Sequence, residues 1–446
     1  MRKPPLKNRH KVKLIRTYWE AYLACRRQWN SDDLNKTQLK RLERIINHSY
    51  EHVPFYRERF DSIGLKPNDI RTTDDLSKVP LLTKQDLKSH FKELTAKDLR
   101  IWECKLNRTS GSTGEPTVSL IDPEMIIYKM ASILRAHQAC GLSFGERFLN
   151  LTPGRPSHNW TGPIFNKWQS SWDLSWYGSV PIGDFLRALV DYNCTAIYGA
   201  ASLIKELAMQ VREKNYRIKP RLVLTSFEML DIATRDYIAE VFQANVIDTY
   251  GCSEIGDIAW ECPQHLGYHI NSDTLIAEVL DGEQQASKGG VGEIVVTSLY
   301  NLGMPLIRYK TGDYATLDSE AYCSCGRKLP LLRNILGRKD DFIVLPNGRM
   351  VSPYVISGPV TNMAIRQFQI VQEELGRIEI RVVEGDTLTE RQKDYIRRRY
   401  EVMFGSDVAF DIVRVDSIKR SESGKLRTVI SKLRIADEIT SPFAQV

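Results

Sequence analysis

No stretch of about 18 consecutive apolar residues occurs in this 446-residue sequence, and no apolar segment lies near its start. That composition argues against a membrane span and a secretory leader, so a cytoplasmic protein is the expectation. Clustered cysteines are nearly missing as well. Of the eight, Cys25, Cys104, Cys140, Cys194 and Cys252 stand far apart, which speaks against a disulfide framework and for reduced thiols. Internal repeats and low-complexity tracts are lacking, and no nucleic-acid-binding module is legible. Acidic residues are missing from positions 1–19, where Arg2, Lys3, Lys7, Arg9, Lys11, Lys13 and Arg16 supply the whole formal charge of +7 and leave the remainder neutral. With Trp19, Tyr22 and Trp29 close by, this arm reads first as a solvated terminus leading into a packing helix; the alternative is weak contact with an anionic membrane surface. Oligomeric state is not legible.

What the chain does have is a globular balance, 42% hydrophobic and 26% charged, over a length sufficient for two domains or three. Leu39, Leu42, Ile45, Ile46 and Tyr50 recur at helical spacing until Pro54 breaks the pattern, and Thr83 reads as the N-cap of a following helix. Between about 195 and 250, β-branched runs (Thr195 to Tyr198, Leu222 to Leu224, Val246 to Asp248) alternate with helical stretches such as Ala201 to Arg212. This predicts an α/β body. Strands follow at Glu293 to Thr297 and Leu306 to Tyr309, with Gly312-Asp313 expected to end the run. Beyond Gly337-Arg338-Lys339-Asp340-Asp341 the pattern becomes a compact α+β tail, with strands near 368–371, 377–383 and 409–413 and a helix expected to be capped by Thr387 with Glu390 as its partner.

Several segments carry chemistry. Thr109, Ser110, Gly111, Ser112, Thr113 and Gly114 form a hydroxyl-rich and glycine-rich loop able to cradle phosphates. The next residues are Glu115-Pro116 where a Walker loop requires Lys, so P-loop NTPase chemistry is disfavoured. Tyr250-Gly251-Cys252-Ser253-Glu254 follows a strand, where a parallel sheet presents ligand-binding residues beyond its carboxyl edge: a ring for a base or substrate, a glycine for close approach, a carboxylate for Mg²⁺. Asp313 offers two acceptor oxygens to a pair of ribose hydroxyls. Cys262, His265 and His269 precede Cys323 and Cys325 by about 55 residues, and three thiolates with one imidazole satisfy tetrahedral Zn²⁺.

In this order the segments resemble the adenylate-forming superfamily of acyl-CoA synthetases, luciferases and peptide-synthetase adenylation domains, and within it the phenylacetate–CoA ligase family, over roughly residues 35 to 430. Val53-Pro54-Phe55-Tyr56-Arg57, the run Met304 to Asp313 and Gly337 to Asp341 extend the likeness. The resemblance implies a large AMP-binding domain over 1–337 and a small mobile lid over 338–446. It implies ATP-dependent activation of a carboxylic acid to an acyl-adenylate, then transfer to a thiol such as coenzyme A. Glu228, Tyr250, Gly251, Cys252, Ser253, Asp313 and Arg338 would contact the nucleotide, Glu254 would hold Mg²⁺, Lys425 would serve adenylation and Asp340 would be the hinge. It also implies a structural zinc on Cys262, Cys323, Cys325 and His269, with His265 as the other imidazole. Two departures, Ser226-Phe227-Glu228 beside the adenine and the stretch Thr152 to Gly162, resemble the branch associated with capsule and other surface-polysaccharide pathways. The competing readings are an adenylyltransferase acting on a non-thiol acceptor and a non-catalytic nucleotide-binding scaffold. The acyl group, and the choice among CoA, a carrier protein and a non-thiol acceptor, stay open.

Overall fold

The computed structural model describes residues 19, 23, 31–99, 104–109, 117–142, 146–151, 171–172, 181–318, 323–361, 365–384, 388–421 and 424–433. Most of the basic arm, the phosphate-loop residues Ser110 to Gly114 and the stretch Thr152 to Gly162 lie outside them. Among the described residues no helix is long and apolar enough to cross a membrane.

Helix α1 (Ser31–His52) buries Leu42, Ile45 and Ile46 along one face, the stripe that the 3.6-residue period requires. Pro54 cannot continue that helix and instead occupies the first turn of α2 (Pro54–Ser62), where its missing N–H costs nothing. Tyr56 on α2 is fully buried, donating to the Pro305 carbonyl and accepting the Ile307 N–H, both at 3.0 Å. Helix α3 (Lys84–Ser89) opens with the expected cap: Thr83 Oγ1 accepts the Asp86 N–H, and Asp86 returns the bond to the Thr83 N–H at 2.7 Å.

The hairpin β1 (Lys105–Thr109) and β2 (Thr117–Ile121) leads into α4 (Pro123–Ala139), capped by Asp122. The body then alternates: β3 (Phe148–Leu151), β4 (Ser171–Trp172), α5 (Ile182–Tyr192), β5 (Ala196–Ala200), α6 (Ala201–Glu213), β6 (Leu222–Ser226), α7 (Ile232–Phe242) and β7 (Asn245–Cys252). Strands β3 to β7 pair in parallel, as expected when strands are joined through helices. Past β7 the same sheet turns antiparallel through β8 (Gly256–Glu261), β9 (Tyr268–Ile270), β10 (Leu275–Asp281), β11 (Gln284–Gln285), β12 (Val291–Ser298), β13 (Tyr309–Asp318) and β14 (Leu331–Arg338). Its order is β11-β10-β12-β13-β14-β9-β8-β7-β6-β5-β3-β4.

After a turn at Lys339–Asp341 come the short pair β15 (Ile343–Val344) and β16 (Met350–Val351), then α8 (Pro353–Ile356) and α9 (Gly358–Thr361). A separate sheet, ordered β19-β18-β17-β20, consists of β17 (Ile365–Glu374), β18 (Arg377–Glu384), β19 (Ala409–Arg414) and β20 (Val429–Ser431). Helix α10 (Glu390–Phe404) closes it with its own core of Ile370, Ile380, Ile396, Tyr400 and Phe404.

Three expectations need correction. Gly312 and Asp313 lie inside β13 rather than ending a strand, and Leu306 to Arg308 precede it; an irregularity in the β12–β13 register between Glu293 and Val295 accommodates them. The motif beginning at Tyr250 is not wholly beyond a strand end, because β7 continues through Cys252 by pairing with β8. The cap of α10 is Thr389, whose partner is Gln392, since that pair has the N-cap to N3 spacing at the observed helix start.

The segment before β13 is anchored by Arg308. Its guanidinium is 4% exposed and pairs with Glu278 at 3.0 Å while donating to the Val79 carbonyl at 2.7 Å. Removing one partner of such a pair strands the other's charge, which typically costs about 3–5 kcal/mol. Arg308→Ala is therefore expected to lower the denaturant midpoint severely, and an unchanged midpoint would contradict the anchoring role.

Candidate functional site

The site lies where the sheet changes from parallel to antiparallel. The first half of β7 pairs with β6, and its second half crosses to β8. The two strands approach so closely that a Cβ at Gly251 would lie 2.3 Å from the Gly256 carbonyl oxygen, so only glycine fits. That approach turns Tyr250 toward β13. Its hydroxyl donates to Asp313 Oδ2 at 2.9 Å, while the Asp313 N–H is held by Thr311 Oγ1 at 3.1 Å. Asp313 sits directly opposite Arg338 across the β13–β14 ladder, and Arg338 Nε lies 3.4 Å from Asp313 Oδ1. Burial and the Asp313 carboxylate push the Tyr250 phenol well above its ordinary value, so it remains a neutral donor.

Glu254 is buried and accepts from the Tyr309 hydroxyl at 3.4 Å. Beside it, the Ser253 carbonyl accepts from Asn107 on β1 at 2.9 Å. Thr109 pairs with Thr117 across that hairpin, so the hairpin is tied to the Glu254 turn through β1. Lys425 comes from the other end of the chain. Its ammonium is depressed chiefly by burial, then by Arg338, and is drawn upward by Glu228, Asp313 and Glu254. Five side chains spread from position 228 to 425 thus share one electrostatic environment. Asp340 lies just outside it, exposed in the Lys339–Asp341 turn.

Three participants were not legible in the sequence as site residues. Lys84, the first residue of α3, is lowered by burial and by Arg338 and senses Glu254 and Asp340; the segment 80–82 reaches the site because Leu82 bridges to β13 at Tyr309. Lys129 on α4 covers Gly256 and draws down the half-buried Asp257, which desolvation nonetheless pushes up to about 6. Arg420, four residues before Gly424, donates to Ser202 Oγ at 2.9 Å. The run Pro80 to Leu87 signalled only a cap, and nothing local distinguishes Lys129 or Arg420 from other surface cations.

A second cluster stands apart. Cys262 follows β8, His269 lies on β9, and Cys323 and Cys325 belong to the turn before β14. Their four ligand atoms lie within 4.8 Å of one another. Cys262 Sγ is 3.4 Å from Cys323 Sγ, and Cys325 Sγ is 3.3 Å from His269 Nε2. His265 is elsewhere, with Nε2 3.0 Å from Asn245 Oδ1 and Nδ1 3.0 Å from Arg235, so the structure selects His269 as the imidazole of this cluster.

Comparison with known proteins is consistent with this geometry. A phenylacetate–coenzyme A ligase of Thermus thermophilus is 27% identical, with 90% of this chain and 96% of that protein covered. Protein CapK of Staphylococcus aureus is 23% identical over 93% of this chain and 92% of its own length, and residues 343–432 match the CapK C-terminal domain. The chain is a homologue of the phenylacetate–coenzyme A ligases. Its fold is that of the adenylate-forming CoA ligases: a structure of 2-hydroxyisobutyryl-CoA ligase in its postadenylation state superposes with a TM-score of 0.78 at 21% identity, covering 91% of each chain. The same ligase captured in its thioesterification state superposes with a TM-score of 0.63 at 22% identity.

An aromatic row borders the parallel half of the site. The His137 ring on α4 lies 5.5 Å from Phe148 and 6.3 Å from Tyr198, and Tyr198 lies 5.6 Å from Phe227. Enclosure there lowers the imidazole from 6.5 to about 4. The unfolded chain therefore takes up a proton near pH 6.5 that the folded chain refuses until about pH 4. Stability from this group is full above that window and is lost as pH falls through it. His137→Gln should flatten the decline of the denaturation midpoint between these two pH values, whereas a curve parallel to wild type would show that His137 does not contribute.

Proposed function

We propose that the protein activates a carboxylic acid with ATP and passes the acyl group to a thiol, coenzyme A being the acceptor favoured by its homologues. The observation that carries this reading is the convergence of Lys425, Glu254, Asp313, Arg338 and Tyr250 on one shared electrostatic environment. In the first step a substrate carboxylate oxygen attacks the α-phosphorus and pyrophosphate leaves. In the second, the thiol sulfur attacks the acyl carbonyl, losing its proton, and AMP leaves. Such phosphoryl chemistry demands alignment and charge neutralisation rather than covalent help from the protein.

Asp313 and Arg338 are suited to holding the ribose, with Tyr250 and Cys252 flanking the nucleotide. The hydroxyls from Thr109 to Thr113 would take the leaving pyrophosphate. Lys425 would bridge the attacking carboxylate and the α-phosphate. Glu254 fits Mg²⁺, which commonly takes one or two carboxylates and otherwise substrate phosphates and water; when bound, the ion offsets phosphate charge. We assign residues 1–337 to a large unit and 338–446 to a lid that rotates about Asp340 between the steps. Pyrophosphate release measured over a panel of carboxylic acids, with and without CoA, tests the reading. Release with no acid in the panel would refute acid activation, and acid-dependent release without CoA-thioester formation would favour transfer to another acceptor.

Lys425→Ala should reduce pyrophosphate release about a hundredfold or more, because a charge-assisted contact to the transition state is lost. Thioester formation from supplied acyl-adenylate should persist. Wild-type pyrophosphate release in that variant would remove Lys425 from the mechanism.

The four-residue cluster fits a structural zinc. Three thiolates and an imidazole fill a tetrahedral shell with no open position, and sulfurs at Zn–S distances of about 2.3 Å lie roughly 3.8 Å apart, close to the spacing seen here. Protein purified without added metal is expected to carry about one zinc per chain. Cys323→Ser combined with Cys325→Ser should lose both the zinc and thermal stability. A metal-free wild type that is equally stable would refute the site.

A further inference from the structure

The Lys425 loop reaches the large unit through a compact set of contacts centred on Glu228. Strand β6 ends at Ser226, and Phe227 then adopts φ 73°, a left-handed conformation unfavourable for a bulky side chain. That turn carries Glu228, 8% exposed, with both oxygens committed to backbone N–H groups on two different elements. Oε2 accepts the N–H of Ser202 in the first turn of α6 at 3.1 Å, and Oε1 accepts the N–H of Leu426, the residue after Lys425, at 2.8 Å. Arg420 closes the arrangement from the C-terminal side. Its Nη1 donates to Ser202 Oγ at 2.9 Å and to the Gly424 carbonyl at 3.1 Å, and it lies 3.9 Å from Glu228 Oε1, while Nη2 is 3.6 Å from Glu206 Oε2.

Within its own unit the described residues flanking Lys425 bond to one another. The Ser421 N–H donates to the Lys425 carbonyl at 2.9 Å, the Gly424 N–H to the Ser421 carbonyl at 2.8 Å, and Arg427 pairs with Asp341. Fixing the Leu426 N–H and the Gly424 carbonyl on either side of Lys425 therefore fixes the start of its side chain. Among the described residues, the ion pair of Arg366 with Glu213 at 2.7 Å also links the two units, but both its side chains are about 40% exposed and it contributes little.

We infer that Glu228, Ser202 and Arg420 form a latch that holds the Lys425 loop against the large unit for the first half-reaction and releases for the second, with Arg420 as a positioning residue for adenylate formation alone. The inference rests on the proposed two-step reaction for its kinetic consequence but not for its conformational one. Arg420 touches backbone and hydroxyl groups of the latch and the carboxylates of Glu228 and Glu206. Its loss leaves two carboxylates without their shared cation and the Gly424 carbonyl without its donor. Displacement of a reacting group by an ångström or so is enough to cost up to a hundredfold in rate.

The test is Arg420→Ala, with Arg420→Lys as the conservative variant. Pyrophosphate release should fall roughly tenfold or more, thioester formation from supplied acyl-adenylate should hold, and Lys should restore part of the loss. Equal losses in both half-reactions, or none in either, would overturn the latch while Lys425→Ala still reports on the underlying reaction. Independently of any substrate, donor and acceptor dyes on unnatural amino acids at exposed Ile232 and Val402 read the separation of the two units. Arg420→Ala should shift that distribution toward larger or broader distances. A distribution identical to wild type in the apoprotein would overturn the latch even if no acid substrate were found.

Discussion

The structure depends on a single strand serving two kinds of sheet. Strand β7 must pair in parallel with β6 and in antiparallel fashion with β8, and the change of partner occurs within eight residues. Glycine at 251 makes this feasible, since the carbonyl of Gly256 occupies the space a side chain would need. Because the parallel strands run toward this junction and β13 and β14 approach it through β12 and β9, residues from all of them arrive at one place. Moving the junction by one residue would turn Tyr250 away from Asp313, because side chains alternate between the faces of a strand.

Buried polar networks stabilise both sides of that junction. Arg235 grips both oxygens of Glu261 at 2.8 Å, and Glu261 in turn accepts the Asp248 N–H at 2.8 Å, with Tyr268 donating to Asp248 at the same distance. Asp248 lies beneath the motif that starts at Tyr250, and Glu261 precedes Cys262. The Tyr250 end of β7 and the thiol cluster are therefore connected through Asp248, Glu261 and the ion pair of Glu261 with Arg235. A metal in the cluster would tie β8 and β9 to the turn before β14, the strand that ends on Arg338. Such a metal would thereby also steady the strand that places Arg338 against Asp313.

The C-terminal unit contributes few but concentrated contacts. Its core is its own, and its sheet does not continue the large one. It meets the large unit through the polar contacts of Glu228, Ser202 and Arg420 and through an apolar cluster in which Phe342 and Met350 pack with Leu336. The strained turn at Phe227 belongs to the polar part of that contact: the backbone conformation is unfavourable by itself and is maintained by the bonds that Glu228 makes beyond it.

Much of this was legible locally. The helix stop at Pro54, the Thr83 cap, the alternation of strands and helices up to β7 and the separate tail follow from backbone chemistry that acts over a few residues, and the ordered motifs carried the family resemblance. Where two local solutions competed, as with Thr387 and Thr389 at the start of α10, sequence reasoning chose the wrong one because both offer a hydroxyl three residues before a polar partner. What only tertiary structure decided was which distant groups meet. Cys262, Cys323 and Cys325 could have paired with either His265 or His269; the β9–β14 pairing brings in His269, while Arg235 and Asn245 occupy His265. The partners of Glu228, at positions 202 and 426, are set by the docking of one unit on another. The sequence determined residue types and local geometry by itself, and long-range pairing, whose free energy resides in contacts between segments rather than within them, determined the site.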